Sequence, residues 1–464
     1  MARANARAGQ GVPASIAGPR LIFLLAVMAL LLVGFVMVYS ASSVKAINGG
    51  DDPASFLVDQ LLYAGLGIVC ALVLWKFVPY RVWDGWLVWG IWAVAVALVV
   101  ATFFFGTEIN GAKRWLNLFG SFGIQPSEFF KVALVLASAH VVNGYREART
   151  PFPVLVVQIG VLLLPLLFLY KAQSDLGTTL ICAVGILTVL WLGEVPLRTM
   201  LVILAVVAVF AFAAMFLVGY RADRWVFLNP WNDGDGGYGD GYQIIRSYYA
   251  FAEGGLFGVG LGNSHEKFLY LFSSESDFIF AIIGEELGMV GALFVVALFL
   301  VFLWSGMRIV RAAPDNFGAM AAGSCVIAIT FQAFLNMGCA IGVFPTTGKP
   351  LPFISSGGSS LIATFIMVGI VLSVSKGAAA PSVYDRRRDD LRILRAEGHV
   401  PAASRGARGR GGGRSAATAQ GARLATAPGV GRGHGAGRPS KQSEFHVVGH
   451  DARAARGGRA VARR

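Results

Sequence analysis

The sequence predicts an all-α polytopic membrane protein with about ten transmembrane helices. Of the 464 residues, 56% are hydrophobic and only 14% are charged, which is too apolar for a soluble chain of this length. Apolar windows of roughly 16 to 27 residues, close to the length that crosses a bilayer core, recur along the first four fifths of the chain. The predicted spans are 21–40, 56–78, 82–105, 127–142, 154–170, 176–192, 197–218, 278–304, 319–343 and 359–374.

The first of these spans has some features of a secretory signal peptide, because the small residues Ser40, Ala41 and Ser42 follow it. Its apolar run is longer than the core of a signal peptide, and further spans come after it. We therefore expect a retained helix, preceded by a short cytoplasmic segment at residues 1–20.

The charge distribution divides the chain into a membrane domain, residues 21–375, and a tail. Up to residue 375 the chain carries 20 Lys and Arg against 20 Asp and Glu, whereas residues 376–464 carry 19 against 6 and so account for the whole net charge of +13. The tail is rich in Gly, Ala and Arg, a composition that cannot bury a core and predicts disorder. For this tail, attraction to anionic lipid is favoured over nucleic-acid binding. Binding of the tail to a protein partner is a further alternative.

An even number of spans places both termini on one side of the membrane, and the Arg-rich tail predicts that this side is the cytoplasm. Arg146 and Arg149 then lie in an inner loop, as the same rule requires. The outer loops nevertheless carry cations, which suggests an anionic ligand on that face. The alternative is pairing with outer acids such as Glu108. The outer cations of interest are Lys113, Arg114, Arg246 and Lys349.

One connection, residues 220–276, is much longer than the others, and a loop of that size is usually functional. Residues 242–253 are predicted to form an amphipathic segment at the membrane interface. The following GGLFGVGLG, residues 254–262, has the glycines of a phosphate-binding loop but no GKS or GKT after it. Irregular backbone that re-enters the protein and packs against helices is the favoured interpretation.

Charged residues within predicted spans are functional candidates, because charge is costly at membrane depth. Glu128 and Lys131 stand one helical turn apart and can form an ion pair, which would either fix helix packing or act directly. Asp277 and Glu285 are separated by roughly 80° around a continuous helix and are expected to border one cavity, with Glu286 on the opposite side. Asp277 could also be an ordinary helix N-cap.

Six segments together resemble the SEDS family of peptidoglycan glycosyltransferases, in family order across nearly the whole membrane domain. Within that family, the residues of the last two segments and the presence of the tail resemble the cell-division branch more than the elongation branch. The six segments do not extend into the tail. The segments are 110–115 (NGAKRW), 125–131 (QPSEFFK), 173–178 (QSDLGT), 241–262 (GYQIIRSYYAFAEGGLFGVGLG), 277–288 (DFIFAIIGEELG) and 345–360 (PTTGKPLPFISSGGSS).

The resemblance implies an enzyme that polymerises lipid II, a disaccharide pentapeptide carried on undecaprenyl pyrophosphate, into glycan strands for septal cell-wall synthesis. It also implies that Asp277, the Asp of DFIF, is the catalytic residue. Residues 271–276 (LFSSES), Ser174 and Ser356 depart from the family pattern and put the local loop shape, not the carboxylate, in question. The expected protein partners are a class B penicillin-binding protein transpeptidase and other division proteins. The expected location is the cytoplasmic membrane, and no nucleic-acid partner is expected.

The expected chemistry needs a base for the acceptor hydroxyl, a role that suits one well-placed carboxylate. The leaving pyrophosphate would be stabilised by outer cations or by Mg²⁺ or another divalent cation, with no organic cofactor and no identified metal ligands. A lipid II flippase and a non-catalytic division scaffold are the alternatives from other classes. The residues expected to contact substrate are Lys113, Arg114, Glu128, Lys131, Arg246, Lys349 and Glu285.

Overall fold

The computed structural model describes residues 14–109, 112–119, 122–202, 205 and 226–377. Within them, helices occupy nine of the ten predicted spans, and the seventh is helical over 197–202, where its continuously described part ends. The basic tail lies outside the described residues from 378 onward. The helices are α1 Ala14–Gly49, α2 Ser55–Phe77, α3 Leu87–Phe105, α4 Pro126–Arg146, α5 Phe152–Gln173, α6 Leu176–Leu192, α7 Tyr242–Gly254, α8 Ile279–Glu286, α9 Gly288–Arg311, α10 Asn316–Ala340 and α11 Gly358–Gly377.

Seven of the described helices are long and apolar enough to cross a membrane: α1, α2, α3, α5, α9, α10 and α11. Helix α6 is apolar but shorter, at 17 residues. Helices α10 and α11 form the centre of the described bundle, since 78% and 83% of their apolar windows are buried, against 22% for α2 and α3. Helix α11 packs on α2, and α10 packs on α6. The polar residues of α4, which include Glu128 and Lys131, are therefore held against a protein interior and not against lipid.

A three-stranded antiparallel sheet lies between α3 and α4, where the all-α prediction expected only a loop. Its strands are β1 Thr107–Ile109, β2 Ala112–Phe119 and β3 Phe122–Ile124, in that order across the sheet. The sequence signal that could have found it is Asn-Gly at 110–111, which is typical of a two-residue hairpin turn. The sheet matters because β2 carries Arg114.

The eighth predicted span, 278–304, is not one helix. It is divided into α8 and α9 by Leu287, and Gly288 at the start of α9 has φ +69°, a left-handed conformation that favours glycine. The prediction of a continuous span was wrong because an unbroken apolar run does not show whether the backbone within it stays helical. The break leaves backbone groups of both helices free to bond elsewhere.

Candidate active site

Asp277 lies in the loop that leads into α8, two residues before the helix begins. The N-cap position belongs to Phe278, so the N-cap interpretation of Asp277 is wrong. Its backbone carbonyl accepts a hydrogen bond from the Asn336 side chain at 2.8 Å, and the same amide nitrogen donates to the Lys349 carbonyl at 2.7 Å. Helix α10 thus holds together the two loops that carry Asp277 and Lys349.

The Asp277 carboxylate is half-buried, and among the described residues it has no hydrogen-bond or ion-pair partner. Burial raises the pKa of Asp277 to about 6; Glu275 adds to this rise, whereas Lys349 and Arg114 oppose it. At neutral pH the group is therefore ionised, yet it has a proton affinity close to the value that suits a general base.

Arg114, on β2, is fixed beside Asp277 by the turn between α5 and α6. Its Nε donates to the carbonyl of Gln173 at 2.8 Å, and its Nη2 donates to the carbonyl of Ser174 at 3.0 Å. Its Nη1 faces Gly348, where a Cβ would lie 3.9 Å from that nitrogen and 3.6 Å from Asp277 Oδ2. A carboxylate and a guanidinium thus flank one glycine, with space between them for a ligand.

A buried network of four charged side chains includes three of the predicted substrate-binding residues. Lys349 Nζ lies 2.9 Å from Asp175 Oδ2 and 3.3 Å from Glu128 Oε1, and Lys131 Nζ lies 2.6 Å from Glu128 Oε2. All four side chains are at most 1% exposed. Two cations and two anions balance, so these side chains pair with one another. The predicted contacts of Glu128, Lys131 and Lys349 with substrate stay predictions that this pairing does not favour. The Glu128–Lys131 pair is thus the internal ion pair that was one of the two predicted alternatives.

Asp175 also belongs to this network, although it was not among the predicted site residues. It caps α6 by accepting from the Thr178 backbone N–H at 3.0 Å while its other oxygen binds Lys349. Its only sequence signal is its place in QSDLGT, one of the six family-like segments. An Asp before an apolar helix otherwise indicates no more than a cap.

Arg246 and Lys113 are placed elsewhere by the structure. Arg246 lies within a cage of three tyrosine rings, with its guanidinium carbon 4.8 Å from the Tyr270 ring centroid, and its Nη1 is 3.4 Å from Glu266 Oε1. Lys113 is exposed and stands opposite Glu108 in the register of β1 and β2. The neighbours of these two cations are therefore acidic side chains, as the alternative of pairing with acids predicted. Neither cation contacts Asp277 among the described residues.

Glu285 does not border the Asp277 cavity as predicted. The predicted separation of roughly 80° does not apply, because Asp277 precedes α8 and is not on its surface. The Glu285 carboxylate instead accepts hydrogen bonds from Ser264 Oγ and from the backbone N–H groups of His265 and Glu266, so it anchors the long loop. Glu286 is also buried, and its carboxylate accepts from Ser40 Oγ.

The glycine-rich loop after α7 fills the break between α8 and α9, which confirms that this backbone packs against helices. The N–H groups of Val259 and Gly260 donate to the carbonyls of Glu285 and Glu286, each at 3.0 Å. The Met289 N–H donates back to the Gly255 carbonyl at 2.9 Å. A Cβ on Gly258 would lie 2.2 Å from the Glu286 carbonyl oxygen, so this approach requires glycine.

The helical membrane domain and the Asp277–Arg114 site define a polytopic membrane protein with a loop carboxylate next to a fixed cation. Residues 20–379 match the FtsW, RodA and SpoVE family model, described as Cell cycle protein, and the chain belongs to this family. This match covers the whole membrane domain and agrees with the resemblance seen in the six segments.

Named relatives show the same similarity. The chain is 38% identical over 361 residues to the Probable peptidoglycan glycosyltransferase FtsW of Trichlorobacter lovleyi, covering 77% of this chain and 93% of that one. It is 36% identical over 365 residues to the Stage V sporulation protein E of Bacillus subtilis, covering 77% and 97%.

Solved structures are similar in fold as well as in sequence. A chain from a peptidoglycan synthase complex that coordinates polymerization and crosslinking is 29% identical with a TM-score of 0.62, covering 77% of this chain and 97% of that one. The rod shape determining protein RodA of Thermus thermophilus is 28% identical with a TM-score of 0.56, covering 76% and 95%.

Proposed function

We propose that this chain is a peptidoglycan glycosyltransferase that polymerises lipid II into glycan strands during cell division. Family membership and relatives named as FtsW support this class of activity. The observation that carries the residue assignment is the Asp277 carboxylate, half-buried, without a partner among the described residues and flanked by Arg114 across Gly348. A scaffold would need neither an unpaired carboxylate nor a cation held ready beside it.

In this proposal Asp277 accepts the proton of the acceptor sugar hydroxyl as its oxygen attacks the anomeric carbon of the lipid-linked donor. A glycosidic C–O bond forms, and the bond between the anomeric carbon and the pyrophosphate oxygen breaks. Undecaprenyl diphosphate leaves with the electron pair, and Asp277 then returns the proton to solvent. Arg114 Nη1 faces Gly348 and has no hydrogen bond to another described residue, so in this proposal it donates to the pyrophosphate, where negative charge develops.

Lys349 contributes to the same site without binding substrate. Its ammonium is held by Asp175 and Glu128, so its charge is compensated within the protein interior. Its backbone carbonyl and that of Asp277 share the Asn336 amide, which positions the two loops relative to each other. Lys349 is therefore a positioning residue in this proposal. Because its charge is already compensated, Arg114 is the proposed main ligand for the leaving group.

A divalent cation stays a prediction for this site. Its ligands would come mainly from the pyrophosphate, since Asp175 and Glu128 already bind lysines and Asp277 is the proposed base. When bound, the cation would supply further positive charge to the pyrophosphate.

We further propose that both termini are cytoplasmic, that the loop 220–276 faces outward and that the chain acts with a class B penicillin-binding protein transpeptidase. The charge distribution supports the orientation. The similarity to a chain of a peptidoglycan synthase complex that couples polymerization to crosslinking supports a crosslinking partner.

The decisive experiment is glycan polymerisation from lipid II by the purified full-length chain and its Asp277→Asn variant. Asn keeps the shape but removes the base, so the rate should fall by about 10²- to 10⁴-fold while the protein stays folded. The matched control is Asp240→Asn, an exposed carboxylate of the same outer loop, which should keep the wild-type rate. Near-normal polymer yield from Asp277→Asn would refute the catalytic assignment and leave the flippase or scaffold alternatives.

A further inference from the structure

A second cluster of ionisable groups lies away from Asp277, at the C-terminal end of α8. Glu253 near the end of α7, His265 in the long loop and Glu285 on α8 each offer one ligand atom, and these atoms all lie within 4.8 Å of one another. His265 Nδ1 is already 2.8 Å from Glu253 Oε2. The His265 and Glu253 side chains are 73% and 42% exposed, so the cluster is open to solvent on one side and closed by buried Glu285 on the other.

A fourth group, Glu266, adds to this region a buried carboxylate with one unpartnered oxygen. Its side chain is 3% exposed, and its Oε2 is buried with no hydrogen-bond partner among the described residues. The Glu266 backbone N–H donates to Glu285 Oε1 at 3.3 Å, so these two residues are neighbours. Burial raises the pKa of Glu266; Arg246 opposes the rise, and Glu285 and Glu253 add to it. Arg246 is the one cation that the described residues pair with this group, at 3.4 Å from Glu266 Oε1.

We propose that Glu253, His265 and Glu285 form a binding site for a divalent transition-metal ion such as Zn²⁺, with Glu266 as a nearby carboxylate that adds negative charge. One imidazole with carboxylates is a donor set that suits Zn²⁺, whereas Mg²⁺ prefers oxygen ligands and keeps its waters. Coordination requires the ligand atoms to move closer together, which the two exposed side chains are free to do.

The Glu285 carboxylate can take part without releasing the long loop. Its Oε2 accepts only the Ser264 hydroxyl, so a lone pair remains for a metal, while its Oε1 keeps the two backbone N–H groups. The site is separate from the proposed catalytic centre, because Glu285 lies about 9 Å along α8 from the start of that helix beside Asp277. A bound ion would tie α7, the long loop and α8 together.

The test is Zn²⁺ titration of the full-length chain in detergent by calorimetry, comparing the wild type with His265→Gln and Glu253→Gln. Both changes are at exposed side chains and should leave the fold intact. The basic tail adds four further histidines, so the informative result is the loss of one bound ion per chain, or at least about a tenfold weaker affinity at one site. The matched control is His140→Gln, at a histidine paired with Asp84 elsewhere in the molecule.

A second measurement links binding to structure. Zn²⁺ should slow backbone hydrogen exchange at residues 255–267 in the wild type and in His140→Gln, but not in His265→Gln. Unchanged stoichiometry and affinity in His265→Gln would overturn the proposal, as would Zn²⁺ that leaves exchange in this loop unaltered. Equal protection by Mg²⁺ would overturn the assignment to a transition metal. None of these results depends on polymerase activity, so failure here is distinct from failure of the proposed function.

Discussion

At the scale of single residues, the ionisation of Asp277 determines when the proposed base can work. A carboxylate accepts a proton only when it is ionised, and the pKa of Asp277 is raised to about 6 by burial. We therefore expect the polymerisation rate to rise with pH from about 5 to about 7 and to reach half its maximum near pH 6. The measurement is a pH–rate profile at saturating lipid II, and a rate that stays level across this interval would contradict the role of Asp277 as the base.

Gly348 is a second residue with a testable role, because it separates the two groups of the proposed site. A methyl group there would lie 3.6 Å from Asp277 Oδ2 and 3.9 Å from Arg114 Nη1, in the space proposed for the ligand. Its φ of +64° adds strain of about 1–2 kcal/mol for any residue with a Cβ. Gly348→Ala should lower kcat/KM by roughly tenfold to a hundredfold in the polymerisation assay.

The control for Gly348→Ala is Gly357→Ala in the same loop. Gly357 has no left-handed φ, and a Cβ there would make ordinary contacts of 3.4 Å or more with Pro350 and Ser360. Polymerisation by Gly357→Ala should stay close to the wild-type rate. Equal rates for the two variants would mean that the space beside Gly348 is not used by substrate.

The sequence predicted some residues of the site better than others. Asp277 and Arg114 were assigned from their segments, and the structure brings both to Gly348. Lys349 was assigned as a free outer cation, but it is buried against Asp175 and Glu128. Three chain segments separated by dozens of residues meet in that network, so neither its burial nor its pairing could be inferred from local spacing.

At the scale of elements, the glycine-rich loop and the break between α8 and α9 depend on each other. The loop supplies hydrogen-bond partners for backbone groups at the break, and Gly258 lies against the Glu286 carbonyl with φ +81°. Gly258→Ala forces a 2.2 Å contact and adds left-handed strain, so it should lower the free energy of unfolding by more than about 1–2 kcal/mol.

The measurement for Gly258→Ala is thermal unfolding in detergent, with Gly65→Ala as the matched control. Gly65 lies within α2, and a Cβ there would meet nothing within 4 Å. Its replacement by Ala should leave the Tm unchanged or raise it, because Ala is the better helix former. A Tm for Gly258→Ala that equals that of the control would mean that the loop does not support the break.

At the scale of the whole molecule, the distribution of Lys and Arg predicts which face of the bundle is outside. An alkaline phosphatase fused at Asn232, in the long loop, should be active because the loop is expected to be extracytoplasmic. The same reporter fused at Thr150, in a predicted inner loop, should be inactive. Activity at Thr150 with none at Asn232 would invert the orientation, and Asp277 would then lie on the wrong side for external glycan synthesis.

The sequence by itself determined the helical membrane class, nine of the span positions in the described residues, the family and the candidate base. These properties depend on the lengths of apolar runs and on short motifs, both of which can be identified in consecutive residues. Only the tertiary structure decided the break before α9, the separate positions of Arg246 and Glu285, and the burial of Lys349. Each of these depends on hydrogen bonds or ion pairs between residues distant in sequence, and a buried polar group takes whichever partner the folded chain brings to it.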